Sequence, residues 1–266
     1  MTEIRSPSAF FRQRNLIIRI GLAVFGLLCA ATAIHTQFDV QKALSAIPKV
    51  VVWIFENIVP DAKAWGRFPK MSSRLLDTIL MSVMATTSAG FFSFFFALMG
   101  ARSTKIHPTL EAFSLGIASL SRNIPVAAWA IIFLMTFGMS TFTGYLAIFF
   151  ATFGFLTRSF AECIDQGSTS QVEALRATGA SYAHIIVQGV VPSALPQMLS
   201  WVLYTVEFNI RDAALVGLLT GSGIGFLFDL YYKNQQYESA SLVIFLLMIS
   251  VISVEQLSNF LRRKLA

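Results

Sequence analysis

Residues 170–192 read SQVEALRATGASYAHIIVQGVVP, a stretch suited to water and to a partner, set between long apolar runs. Ser170 with Glu173 three residues on fits a capping box: the hydroxyl accepts one free helix N–H and the glutamate reaches back to another. The spacing predicts a short helix over 171–178, with Val172 and Leu175 one turn apart on one face and Ala174 and Ala177 keeping it slim. Gly179 stands where a left-handed helix stop needs no Cβ, so a second amphipathic helix is expected to turn away from it. Pro192 suits the first turn of the next element, where its missing N–H costs nothing. An ordinary helix-turn-helix between two spans would carry the same local signals.

The flanks decide what kind of protein carries this loop. Of 266 residues, 55% are hydrophobic and 13% charged, with 25 phenylalanines and 9 methionines; soluble domains carry about 25% charged residues. Mean hydropathy is +0.66. The chain is therefore read as an all-α integral membrane protein that crosses the bilayer several times. The net charge of +6 comes from arginines and lysines beside apolar runs, the positive-inside distribution rather than a basic stripe, which argues against a nucleic-acid partner. Cys29 and Cys163 form no CxxC, and His35, His107 and His184 are scattered. No metal site, nucleophile–base pair or bound cofactor is expected. The first apolar stretch is long and lacks a small-residue cleavage site, so no cleaved signal peptide is expected.

Outward from the loop, six spans are expected. Residues 1–15 are a polar, basic tail and 16–38 a peripheral span, with Arg19 near enough to its end to snorkel. Residues 39–73 hold short apolar bursts between Lys49, Glu56, Lys63 and Arg67, punctuated by Pro48, Pro60 and Pro69. They fit a segment lying in the outer interface better than a span, which needs about 20 apolar residues. The remaining spans form a core over 74–261. From Asn123 to Thr157 no charge or histidine appears, and one straight helix of that length would reach roughly 50 Å against a core of about 30 Å. The chain must fold back, and GMSTFTG at 138–144 is the turn. Ser121-Arg122-Asn123-Ile124-Pro125 then falls inside the third span, where an arginine is costly unless it lines a cavity or finds a partner. The fourth span is read at 145–160, with the cytoplasmic loop at 161–191. The fifth starts at Pro192 and meets Glu207, Asn209, Arg211 and Asp212, of which Glu207 and Arg211 are one turn apart and can neutralise each other. TGSGIG at 220–225 is read as a tight turn with exposed N–H groups. The sixth span covers 240–261, and Arg262, Arg263 and Lys264 anchor residues 262–266 inside. Basic residues at both ends agree with an even number of spans and cytoplasmic termini.

Glu173-Ala174, Gly179 and Pro192 closely resemble the "EAA" cytoplasmic loop of ABC-importer permeases, with Leu175 in place of the second alanine. Two further stretches, SRNIPVAAWAIIF (121–133) and EFNIRDAALVGLLTGSGIG (207–225), are similar to the permeases that import phosphonates and related phosphorus oxyanions. The resemblance implies a type I ABC-importer permease fold of about six spans, a bacterial inner-membrane location and a homodimer. It implies two ATPase copies, carrying ATP and Mg2+, on a coupling-helix loop comprising Glu173, Ala174, Leu175, Ala177, Thr178, Gly179, Ala180 and Tyr182. It also implies a soluble solute-binding protein outside, and alternating access along a path that includes Arg122, Asn123, Pro125, Glu207, Asn209, Arg211 and Asp212. Arg122 and Arg211 would together give a positive environment for a dianion. Two departures bear on the anion: Asp212 replaces an expected small residue, and Thr220-Gly221-Ser222 replaces a more glycine-rich run. A permease for a sulfonate, methionine or a quaternary amine remains an alternative. An integral membrane enzyme is a weaker one, since its acids and histidines would have to cluster.

Overall fold

Backbone in lipid must satisfy its own N–H and C=O groups, which leaves apolar runs the helix or the closed barrel; here every run is a helix. The structure, a computed structural model, describes residues 7–265. It divides into residues 1–56 and residues 57–266, taken in turn.

In the first unit, helix α1 covers Pro7–His35. It begins well before the expected start at 16, with proline in the first turn, so residues 7–15 of the expected tail are helical; residues 1–6 of that tail lie outside the described residues. Apolar side chains such as Phe25 and Leu27 stay exposed along it. Helix α2, Val40–Asn57, opens at Asp39, whose carboxylate accepts from the Lys42 backbone N–H at 3.0 Å. That bond, then the Lys42 ammonium, holds the exposed Asp39 carboxyl below the usual carboxylate range.

The second unit begins with a short α3, Ala62–Gly66, capped by Asp61, and α4 follows at Phe68–Gly100. Residues 39–73 are thus divided among α2, α3 and the first turns of α4. Pro69 sits in the first turn of α4, where it does no harm, and the helix starts six residues ahead of the expected 74. Helix α5, Pro108–Asn123, and α6, Val126–Phe137, meet at a 91° bend. Ile124 is extended there, as a residue before proline prefers. Gly138 and Ser140 turn the chain into α7, Thr141–Ala177, with Ser140 capping it. Among the described residues, five helices are long and apolar enough to cross a membrane, or six when the bent α5–α6 pair counts as one span.

Helix α7 is the axis of this unit and packs on α4, α5, α6 and α9, the last defined below. Its 37 residues make it about 55 Å long, so the expected break between a span at 145–160 and a separate short helix at 171–178 does not occur. Ser170 caps nothing: it is inside α7, and its hydroxyl bonds the Gln171 side chain at 3.1 Å. The cause is burial. Ile164, Ser168 and Val172, four residues apart on one face, are fully covered, and Ile164 and Val172 share a core with Ile185, Ile186 and Val190.

Beyond α7 come α8 (Tyr182–His184), a wide π turn at Ile185–Val190, and α9 at Val191–Thr220. The three form one helical run from Tyr182 to Thr220. Pro192 lies in the first turn of α9, as expected, but the π turn just ahead of it joins α9 to the helical run from Tyr182, so the chain does not break there. Helix α10, Gly223–Lys233, and α11, Tyr237–Leu265, complete the chain. The basic end at 262–265 continues α11, and Ala266 lies outside the described residues. Within 220–225, Gly221 is the left-handed stop of α9, with φ +69°. The exposed N–H groups expected there are not found: Ser222, Gly223 and Ile224 are buried, and the Ile224 N–H donates to Thr78 Oγ1 at 2.9 Å. Gly225 serves packing instead, since a Cβ on it would fall 2.8 Å from the Leu218 nitrogen of α9.

Candidate translocation and docking sites

Two regions of the second unit gather the singled-out residues. The first is a cavity of about 380 Å³ between α5, α7 and α9, lined by Arg122, Thr152, Phe155, Trp201, Tyr204, Thr205, Phe208, Asn209 and Asp212, with Ala151. The bend after Asn123 puts Arg122 in the last turn of α5, where a cation also meets the negative end of the helix dipole. Residues 201, 204, 205, 208, 209 and 212 repeat at three- and four-residue intervals and form one stripe of α9.

Asn209 holds this wall together. Its side-chain N–H groups donate to Thr86 Oγ1 at 2.7 Å and Thr152 Oγ1 at 2.8 Å, and its backbone carbonyl accepts from Ser82 Oγ at 3.1 Å. A buried amide with both donors used fixes the register of α4, α7 and α9 at one level. Other buried hydroxyls, such as Ser82 on Thr78 and Thr86 on Ser82, also return to carbonyls one turn back in their own helix, the usual economy of small polar residues in membrane helices.

The remaining path candidates divide. Glu207 is buried and accepts from Arg211 at 2.7 Å, while Arg262 of α11 approaches it at 3.6 Å. The expected self-neutralisation of Glu207 and Arg211 is present, and neither lines the cavity among the described residues. Arg211 thus pairs with Glu207 and is half exposed, while Arg122 lines the cavity together with Asp212. Arg262, expected as an anchor at the membrane face, turns inward to Glu207 instead. At the bend, Asn123 is exposed and Pro125 caps α6.

The second region is the end of α7. The Gly179 N–H bonds the Arg176 carbonyl at 3.0 Å and the Ala180 N–H reaches back to Leu175 at 3.1 Å, the paired bonds of a Schellman stop. Gly179 has φ +78°, and a Cβ added to it would meet nothing within 4 Å, so glycine is there for its backbone alone. Thr178 Oγ1 bonds the Leu175 carbonyl at 2.8 Å. Glu173, Ala174, Ala177, Thr178, Gly179 and Tyr182 are exposed, whereas Leu175 and Ala180 lean on the core.

Beside it is a cleft of about 410 Å³ lined by Arg102, Ser103, Asp165, Thr169, Val172, Glu173 and Arg176. Neither Asp165 nor Ser103 stands out in the sequence, because their meeting joins positions 62 residues apart. The aromatic stripe of α9, by contrast, carries a legible signal in its three- and four-residue spacing. Among the described residues, no group of three or more His, Cys, Asp or Glu side chains is placed to hold a metal ion.

Residues 89–266 match the family model described as "Binding-protein-dependent transport system inner membrane component". The chain belongs to this family. It is 28% identical to a phosphite transport system permease protein of Stutzerimonas stutzeri, over 90% of this chain and 86% of that one. It is 32% identical to a putative cryptic phosphonate transport system permease protein of Escherichia coli (strain K12), over 44% of this chain and 97% of the relative. Among solved structures, an amino acid ABC transporter superposes with a TM-score of 0.65 at 17% identity, over 77% of this chain and 98% of that one. The permease thus has the type I ABC-importer fold and is a multi-pass inner-membrane transport subunit of an importer, not an enzyme. Importers of this family work with a solute-binding protein and an ATPase in general.

Proposed function

We propose that the permease passes phosphonate or a related phosphorus oxyanion, such as phosphite or phosphate, through the membrane by alternating access. Two permease copies pair as a homodimer, with both termini cytoplasmic. Two copies of a separate ATPase dock on the loop built from Glu173, Ala174, Leu175, Ala177, Thr178, Gly179, Ala180 and Tyr182, and a soluble binding protein delivers the anion outside. The chain binds no cofactor of its own; ATP and Mg2+ stay on the ATPase.

The observation that carries this reading is α7 itself. A helix of 37 residues exceeds a hydrocarbon core of about 30 Å by roughly 25 Å, and it ends in a hydrogen-bonded stop rather than a frayed loop. A stiff rod whose exposed end turns sharply at Gly179 transmits a push along its length, where a flexible loop would dissipate it. At membrane depth that rod lines the cavity holding Arg122. Arg122 supplies the positive field for an anion, and Asp212 with the aromatic stripe keeps the attraction weak enough for release. Asn123, Pro125 and Asn209 shape the path, and Glu207 and Arg211 brace its wall. The names of the relatives, phosphite and phosphonate permeases, support the choice of anion.

The test is co-purification from native membranes followed by uptake in reconstituted vesicles. An ATPase subunit that is retained by the unaltered permease and lost in Gly179→Asp supports the docking loop; retention at the unaltered level refutes it. ATP-driven uptake of phosphite or a phosphonate that falls in Arg122→Ala supports the anion path. A complex that transports methionine, a sulfonate or a quaternary amine and ignores phosphorus oxyanions refutes that substrate class.

A further inference from the structure

The turn between α4 and α5 is fastened to α7 more firmly than its exposed position requires. The Asp165 carboxylate, on the cytoplasmic extension of α7, accepts from the Arg102 N–H at 3.1 Å, the Ser103 N–H at 2.9 Å and the Ser103 hydroxyl at 2.8 Å. One turn from the Gly179 stop, the Arg176 guanidinium donates to the Ser103 carbonyl at 2.8 Å. Ser103 thus has its N–H, hydroxyl and carbonyl all bound to α7. Within the turn, Thr104 is buried and bonds the Leu98 carbonyl at 2.8 Å.

The grip continues up α5. Arg158 of α7 donates to Ser119 at 2.9 Å. Four residues further, Gly154 lies flush against the last turn of α5: a Cβ there would sit 2.7 Å from the Ala118 carbonyl oxygen and nearer still to the Arg122 nitrogen. Charged hydrogen bonds at the bottom, another midway and backbone contact at the top all oppose sliding of α5 along α7, with most of the hydrogen bonds at the turn.

We propose that Asp165 is a positioning residue for transport, clasping the α4–α5 turn so that α5 rides on α7 and movement of the docking loop carries Arg122 with it. The proposal rests on the docking reading above. Without the clasp, α7 can move while the turn at Ser103 lags, and the stroke is lost between the ATPase and the cavity.

The experiment uses the complete transporter in vesicles with an internal ATP supply, measuring anion uptake and ATP hydrolysis together. Asp165→Ala removes three acceptor bonds at once and is expected to lower uptake per ATP by about tenfold, with the ATPase still bound and hydrolysis within about twofold of the unaltered complex. Ser103→Ala removes only the hydroxyl bond and should lower the same ratio by a few-fold, which keeps the test readable if Asp165→Ala fails to assemble. A purely structural role would lower uptake and hydrolysis in parallel, and that result, or an unchanged ratio in both variants, overturns the proposal. Gly179→Asp run alongside separates the two claims: if it retains the ATPase, the docking reading fails whatever Asp165 does.

Discussion

Gly154→Ala tests the contact on which the placement of Arg122 depends. In a helix interior the change from glycine to alanine is ordinarily favourable by about 1 kcal/mol. Here the new methyl would lie 2.7 Å from the Ala118 oxygen and 2.8 Å from Ser121 Cβ. A relaxed C···O contact is about 3.3–3.6 Å, so from 2.7 Å α5 must retreat by roughly 0.6–0.9 Å. The groups met are backbone and cannot rotate aside, which places the cost in the range of about 1–3 kcal/mol found for overpacking. Set against the propensity gain, the clash leaves a net loss of up to about 2 kcal/mol. Gly116, also inside α5, has nothing within 4 Å of a Cβ, so Gly116→Ala keeps the propensity gain. The assay is unfolding of both variants in a mild detergent, with uptake measured in vesicles. Gly154→Ala should unfold earlier and transport poorly, and Gly116→Ala should match or exceed the unaltered protein. A Gly154→Ala variant as stable and active as the unaltered protein would refute the close packing of α5 on α7.

Asn209→Ala should destabilise the protein by about 1–3 kcal/mol through loss of the two buried amide bonds to Thr86 and Thr152, seen as earlier unfolding in detergent. Glu207→Gln should cost about 1–2 kcal/mol, less than a fully buried pair, because Arg211 is half exposed and can turn to water. Adding Arg262→Gln should recover part of that loss in a double-mutant cycle, and strict additivity would mean the 3.6 Å approach of Arg262 to Glu207 carries no energy. Gly225→Ala drives a methyl into the α9 backbone and should lower the yield of folded protein more than Gly154→Ala does, as judged by recovery from membranes.

Features set by local backbone chemistry were legible in the sequence. The stop at Gly179 follows from a conformation that glycine alone adopts freely, whereas the bend at Ile124-Pro125, which obeys proline's restriction of its neighbour, falls inside what the sequence reads as one span. The apolar runs had to become helices. Features set by burial were not legible. Ser170 and Glu173 have every local mark of a helix start, yet Ile164 and Val172 are covered by Ile185, Ile186 and Val190, and that packing outweighs a cap worth about 1 kcal/mol. Pro192 marks the first turn of α9 as expected, but the partly buried π turn that joins it to the run from Tyr182 carries no local mark. Asp165 was invisible because its partners in the α4–α5 turn become neighbours only after the helices assemble.

The charged residues of α5 and α9 differ in how they are paired, and the proposed division into bracing and path residues follows that difference. Glu207 is buried, and burying a carboxylate costs several kcal/mol unless cations and hydrogen bonds surround it. Arg211, one turn along the same helix, and Arg262 of α11 supply them, and the Arg262 approach ties α9 to α11. Arg122 is exposed on a cavity wall where Asp212 is the acidic residue and the remaining lining is largely aromatic or hydroxylic. An anion drawn toward Arg122 meets the Asp212 carboxylate in the same aromatic-walled cavity, and repulsion from that acid opposes trapping. On that reasoning Asp212→Ala should slow release more than it weakens entry: bound anion would rise while turnover falls. A variant with weaker binding and unchanged turnover would show instead that Asp212 braces the wall and that Arg122 meets the anion alone.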